Sequence, residues 1–321
     1  MKRKLVLVLV LVLVLLAPLA FAQSGKNWVF TYVTPGLDVP FWRDVSIGIH
    51  RAGEALGIKI VDADSRNSAA TQFKNVQDQI TAGVNAILIS PTDSASCPAV
   101  LDLAEKAKVP VVIVDIGTDS GNYVSFVKTD NVGGSGEAAK YLAAQLKTKG
   151  WSGTEIGMID VSLARANGRD RLKGFKDVME AQGFKVIAPL EGQNYTRAES
   201  MKFAQDILTA HPGIRGFYGA YDEAILGTIT AVETMNKMND LVMVSFDGSL
   251  ESVQALKDGK LGAIAAQQAV LMGRLGLNAA VDYLNGKQVP KRIDVPCFLV
   301  TRENVDQSMK KLNDDVFTSG K

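Results

Sequence analysis

The chain of 321 residues carries 35 Lys+Arg against 34 Asp+Glu, a formal net charge of +1, and only 2 Cys and 2 His. So even a balance implies no basic face for nucleic acid, and His50 and His211, neither near a cysteine at ligand spacing, exclude a Cys/His metal centre by counting. The length exceeds the ~100–200 residues usual for one core, so two domains are expected.

Lys2, Arg3 and Lys4 precede an apolar run from Leu5 to Leu16, and Ala20-Phe21-Ala22 offers a small-x-small site. This is the pattern of a cleaved export signal, residues 1–22. Pro18 stops the run short of the roughly 20 apolar residues that span a bilayer, and Gln23 in place of Cys suggests no lipid anchor. Removing three basic residues from the 35 leaves 32 against 34 acidic ones, a net charge of −2. The remainder is expected in the periplasm. Cys97 and Cys297 are 200 residues apart, and spacing does not decide between a disulfide and two free thiols.

Along the rest of the chain, short β-branched or apolar runs alternate with longer segments of helical period, the pattern of βα units and a mostly parallel sheet. In the first half the strands are Trp28–Val33, Lys59–Ala63, Ala86–Ser90, Pro110–Asp115 and Tyr123–Val127, with helices over Phe41–Leu56, Ala69–Ala82 and Cys97–Lys106. The second half repeats the scheme with strands over Glu155–Ile159, Lys185–Pro189, Gly216–Gly219, Val242–Phe246 and Ala263–Ala266. Its helices are Gly168–Gln182, Ala198–Ala210, Glu223–Met235, Leu250–Asp258 and Leu271–Leu284. Two such series in tandem predict an α/β fold of two similar doubly wound parallel-sheet lobes.

Ligands of such sheets bind beyond the carboxyl ends of the strands. Ser90, Asp115, Asp247 and Gln267 stand there, although Ser and Asp also favour caps and turns. Gly133, Gly134 and Gly136 before a helix read GGSG, not GxGxxG, and no P-loop lysine follows, so a tight strand-to-helix turn is the better reading. No GxSxG appears, and nothing selects a pair of carboxylates for glycosidase work. No catalytic residue, metal or cofactor is assigned. In LARANGRDRLKGF, Arg165, Arg169 and Arg171 lie near a helix start, against the helix dipole. One of the three is expected to be placed for bidentate binding and the other two to be solvated. Phe41, Trp42 and Tyr195 offer flat apolar rings for the C–H face of a sugar, while Phe41 and Trp42 could equally staple a helix start.

The stretches PFW (40–42), SPTDS (90–94), VPVVIVD (109–115), TDN (129–131), RDRLKGF (169–175), LTAHP (208–212), YDEAILG (221–227), FDG (246–248) and IAAQQ (264–268) resemble, together and in order, the periplasmic sugar-binding proteins of the ribose/galactose type, the type I solute-binding components of ABC importers. The resemblance implies a three-strand hinge with crossovers near 128–130, 267 and 296–297. The lobes are then 23–128 plus 268–296 and 129–267 plus 297–321. It also implies a site of Phe41, Trp42, Ser90, Asp115, Arg171, Tyr195, Tyr221, Asp247 and Gln267, with Arg171 meeting ligand hydroxyls alongside Asp115. Alanine at Arg171 or Asp247 is then expected to abolish binding and leave the fold intact.

Departures from the ribose-like pattern are Val39, Ser90 and Tyr221 where it has Asn, and Ile116 where an Arg often stands. They imply a pentose, polyol, cyclitol or deoxysugar with a less polar edge, since unpaired buried donors are costly. The implied function is capture of a monosaccharide or polyol by hinge closure and delivery, as a monomer, to an inner-membrane ABC permease. A sensory module for a chemoreceptor or sensor kinase is the alternative, with an exported carbohydrate-active enzyme behind it.

Overall fold

The computed structural model describes residues 27–317. The expected export signal, its cleavage site and the last four residues lie outside them. Among the described residues no helix is long and apolar enough to cross a membrane.

Two sheets organise the chain. The first has the order β12-β5-β4-β3-β1-β2, with β1 Val29–Thr34, β2 Lys59–Asp64, β3 Ala86–Ile89, β4 Val111–Val114, β5 Ser125–Thr129 and β12 Arg292–Val295, and all its pairings are parallel. The second runs β13-β11-β10-β9-β6-β7, from β6 Glu155–Asp160, β7 Lys185–Val186, β9 Gly216–Gly219, β10 Val242–Asp247, β11 Ala263–Ala266 and β13 Phe298–Thr301, with β8 Leu190–Glu191 pairing β6 separately. Only β13 is antiparallel to its neighbour. The buried runs AILI and VVIV are what a sheet covered on both faces requires.

Helices α1 Pro40–Leu56, α2 Ala69–Thr81 and α3 Cys97–Lys106 belong to the first sheet's half of the chain, and α9 Ala269–Leu284 completes its core. The second half adds α4 Asn131–Thr148, α5 Ala166–Ala181, α6 Arg197–Ala210, α7 Asp222–Thr234 and α8 Leu250–Lys257. The chain passes between the sheets after β5, after β11 and between β12 and β13. The terminal segment, α10 Val305–Lys311 and a π-helical turn Leu312–Val316, places Leu312, Val316 and Phe317 in the second sheet's apolar cluster. Asp315 also pairs with Arg274 of α9 at 3.1 Å, so this segment ties both halves.

Several expectations are corrected here. Gly133, Gly134 and Gly136 lie inside the first turns of α4 and form no connecting turn. A Cβ on Gly134 would lie 2.7 Å from Cys297 Sγ and one on Gly133 2.2 Å from the capping Asp130 Oδ2, whereas Gly136 has room for one. The strand expected at Tyr123–Val127 lies two residues later, and the one expected at Lys185–Pro189 is split between β7 and β8. Strands β12 and β13, four residues each, find their partners only across the sheet and carry no local signal long enough to mark them. Cys97 and Cys297 are free, the first buried in the core beside Val100 and Leu101.

Helices α1 and α9 cross through glycine on both sides. A Cβ on Gly48 would lie 2.1 Å from Val270 O, and one on Gly273 the same distance from Val45 O. Gly→Ala in a helix interior ordinarily stabilises by about 1 kcal/mol. Here the added methyl meets backbone that cannot swing aside, and overpacking of this kind costs about 1–3 kcal/mol or more. Gly48→Ala is therefore expected to lower the urea midpoint, and a raised midpoint would show that the crossing is looser than the contact distances require.

Candidate functional site

A cavity between the two sheets is lined by Val39, Pro40, Phe41, Trp42 and Asp115 from the first half, and by residues 161–247 from the second. It encloses about 500 Å³ of space free of protein atoms, counting the solvent at its mouth, within the range of small-molecule sites.

Backbone geometry fixes the charged residues. Asp115, just past β4, and Asp247, the last residue of β10, have φ of 68° and 81°, the left-handed region that costs a non-glycine residue about 1–3 kcal/mol. Tyr195 is a third such residue in the lining, at φ 57°. Its loop is held at the start of α6: the N-cap Thr196 accepts from Glu199 N, while the Glu199 carboxylate reaches back beyond the cap and accepts from the N–H groups of Gln193, Asn194 and Tyr195. The Tyr195 hydroxyl accepts in turn from Ser162 N at 3.2 Å.

Arg171 on α5 is 2% exposed. Its Nε donates to Asn131 Oδ1 at 2.9 Å, and its Nη1 to Ala220 O at 2.6 Å and to Asp247 Oδ1 at 3.1 Å. Its Cζ lies 4.1 Å from the centre of the Phe246 ring. Asp247 also accepts from Gln267 Nε2 at 2.5 Å and from Asp222 N. Asp222 then accepts from Gly248 N and Ser249 N, which holds the turn after β10. Burial, reinforced by the Asp247 charge, pushes the Asp222 carboxyl above the ordinary carboxylate range.

Across the cavity, Asp115 Oδ2 accepts from Asn167 Nδ2 at 2.8 Å, whereas its Oδ1 is buried with no donor. Burial raises this carboxyl from 3.8 to about 6 against the pull of Arg171, with Asp247 pushing the same way as burial and Arg165 and Lys128 opposing it. Two more buried acceptors without donors lie nearby in the chain's carboxyl-end layer, Asp160 Oδ2 and Gln267 Oε1. Burial lifts the Asp160 carboxyl to about 8, against the bond from Val161 N and the Arg171 charge.

Rings close both sides. Phe41 and Trp42 meet edge-on with centroids 4.8 Å apart, and Tyr195 and Tyr221 do the same at 5.3 Å. Phe41 and Trp42 also pack in the first core, so stapling and wall lining coexist.

The structure thus places Phe41, Trp42, Asp115, Arg171, Tyr195, Tyr221 and Asp247 on one cavity. It does not place Ser90 or Gln267 on that lining. Ser90 is buried against the Tyr32 hydroxyl at 3.0 Å, and Gln267 stands behind Asp247. Their position at strand ends was legible, but the side of the strand they face was not. Arg171 lines the cavity together with Asp115 and also bonds to Asn131, Ala220 and Asp247, so it belongs to the framework as well as to the wall. The arginine cluster also departs from expectation. Only Arg169 is exposed, while Arg165, 6% exposed, lines the cavity with its Cζ 4.4 Å from the centre of the Tyr195 ring. Arg165 is among the three arginines singled out from the sequence but is not the one chosen, and Asn167 was missed, since nothing local separates a cavity-facing Asn at a helix start from a solvated one.

The comparisons with known proteins agree with this geometry. The ribose import binding protein of Bacillus subtilis is 31% identical over 88% of this chain and 90% of its own length. That of Escherichia coli is 31% identical over 84% and 90%. A solved carbohydrate transporter solute-binding protein from Agrobacterium radiobacter, in complex with D-arabinose, superposes with a TM-score of 0.84 at 25% identity, covering 91% of this chain and 99% of that one. An ABC transporter solute-binding protein from Agrobacterium vitis with bound D-fucose gives 0.82 at 25% identity, covering 90% and 100%. The family described as periplasmic binding protein domain matches residues 30–288, and the chain belongs to that family.

Proposed function

We propose that this chain is an extracytoplasmic solute-binding protein that captures one monosaccharide or related polyol by hinge closure and delivers it to an ABC permease. The lobes are 23–128 plus 268–296 and 129–267 plus 297–321, and the three passages between the sheets are the hinge. The observation that carries the reading is Asp115, a cavity-lining carboxylate with a buried oxygen that lacks a donor. A buried acceptor left unpaired costs about 1–3 kcal/mol, and a ligand rich in hydroxyl donors removes that cost. A ligand that contacts both lobes stabilises the closed state by its differential affinity.

The two walls differ. The first lobe offers Val39, Pro40, Phe41 and Trp42 with one carboxylate, whereas Arg165, Asn167, Arg171, Tyr195, Tyr221, Asp222, Glu223 and Asp247 come from the second. This asymmetry supports a ligand with one less polar edge, such as a deoxysugar or a pentose lacking the ribose hydroxyl pattern. Calorimetry on refolded, ligand-stripped protein is expected to show D-fucose or D-arabinose binding at least about tenfold tighter than D-ribose, the scale of one misplaced polar group. Tight ribose binding would overturn the less polar edge. Silence across all carbohydrates would overturn the sugar reading itself.

The Asp115 carboxyl gives this binding a pH dependence. The sign follows from which form the ligand needs: hydroxyl donors meet the carboxylate, so affinity is expected to fall as pH drops below about 6, by at most tenfold per pH unit for one proton. Without ligand the stability effect has its own sign. Between 3.8 and about 6 the folded chain keeps a proton that the unfolded chain has released, so the contribution of this site to stability falls as pH rises through that window. Asp115→Asn, which tolerates the left-handed backbone, should flatten the acid limb of the affinity profile. An unchanged profile would assign the limb to another group.

Arg171→Ala is expected to lose ligand binding and, unlike Asp115→Asn, to destabilise the fold by about 3–5 kcal/mol, because Asp247 is left buried without its cation. Urea unfolding measures this directly, and an unchanged midpoint would show that the pair adds nothing to the framework.

A further inference from the structure

The second lobe touches the first directly beside the cavity. Arg165 Nε donates to Thr92 O at 2.9 Å and its Nη2 to Asn67 Oδ1 at 2.8 Å. Asn67 Nδ2 donates back across the gap to Gln193 O at 3.1 Å. Backbone contacts flank these bonds, with Ser94 N donating to Ala164 O at 3.1 Å and Ala166 N to Ser94 Oγ at 3.0 Å. The first-lobe side is preset: buried Gln72 donates to Ser90 O and accepts from Thr92 N, which fixes the carbonyl that Arg165 reaches. The second-lobe side is preset by the Tyr195 ring beneath the guanidinium.

The partners of this buried cation are neutral. A carbonyl, an amide oxygen and an aromatic face hold Arg165, whereas Arg171 in the same cavity has Asp247. Hydrogen bonds to a charged group are roughly twice as strong as neutral ones, and stronger still when both groups are charged. An aspartate at position 67 would make the second kind with Arg165, at the loss of the Asn67 Nδ2 bond to Gln193 O.

We propose that Arg165 is a positioning residue for closure, and that its bond to Asn67 is a lobe-to-lobe latch which scales the affinity for every ligand by one common factor. The proposal rests on the hinge-closure reading above. Asn67 lies outside the cavity lining, so it acts on the closed-to-open ratio and not on the ligand. The apparent dissociation constant rises as the closed fraction falls, whatever sugar is bound.

The test compares wild type with Asn67→Ala and Asn67→Asp, each first checked for an intact melting transition. One readout is small-angle scattering without sugar; the other is calorimetry with D-arabinose and with D-fucose. Asn67→Ala removes two lobe-to-lobe bonds and is expected to weaken both sugars by the same factor, about five- to thirtyfold at roughly fivefold per net bond. It should also expand the sugar-free particle if wild type is partly closed. Asn67→Asp exchanges the bond to Gln193 for an ion pair with Arg165 and is expected to shift both sugars by one common factor. Wild-type affinity in Asn67→Ala, or factors that differ between the two sugars, would overturn the latch while leaving hinge closure standing. If neither sugar binds wild type, the scattering alone decides: expansion in Asn67→Ala supports the latch. A wild-type particle that is already open and closes with neither sugar overturns the latch and the closure reading together.

Discussion

The arrangement around the cavity depends on one buried ion pair. Taking a guanidinium out of water costs several kcal/mol even after relaxation, so Arg171 can exist at 2% exposure only if its charge and its donors are met in place. Asp247 meets the charge, Asn131 and Ala220 take the other bonds, and the Phe246 ring lies against one face of the guanidinium. The pair also accounts for the strained backbone of Asp247, whose φ of 81° is held by the bonds from Gln267 and Asp222. Remove the arginine and the turn after β10, the start of α7 and the end of β11 lose their common anchor.

That framework leaves the two lobes with different tasks. The second supplies most of the polar wall, in which Arg171 and Asp247 are bonded to each other while Arg165 and Asn167 reach groups of the first. The first supplies rings and a single carboxylate, Asp115, which is half satisfied by Asn167 across the gap. Among the lining residues its Oδ1 is the buried side-chain atom left without a partner.

Much of this could be read from the chain itself, and the reasons differ residue by residue. The apolar runs ahead of Asp115 and Asp247 mark strands by composition alone, and the rule that ligands lie beyond strand ends points to the right layer. That rule is silent on direction, which is why Ser90 and Gln267 fall behind the cavity. Successive side chains alternate faces, and the sheet's orientation is set by distant packing. Arg165 escaped for the opposite reason: its burial comes from Tyr195, Thr92 and Asn67, none of which is close in sequence. The GGSG run misled because glycine serves two needs, turns and close contact. The neighbours that demand contact at Gly134, Cys297 and Phe246, lie more than a hundred residues away.

The threading of the chain between the sheets has a consequence for its synthesis. The first sheet lacks its edge strand β12 and the helix that covers it, α9, until residues 269–295 exist. The second sheet is nearly complete by residue 266. The amino-terminal part therefore emerges first and can bury the cluster formed within residues 29–126, but its other face waits for α9 and β12. Contacts of such long sequence separation form slowly, because the loop must close before the contact gives anything back. A polypeptide wired in this way leaves one face of its leading segment uncovered while the rest is made. That is the state in which a chain can be drawn end-first through a narrow pore.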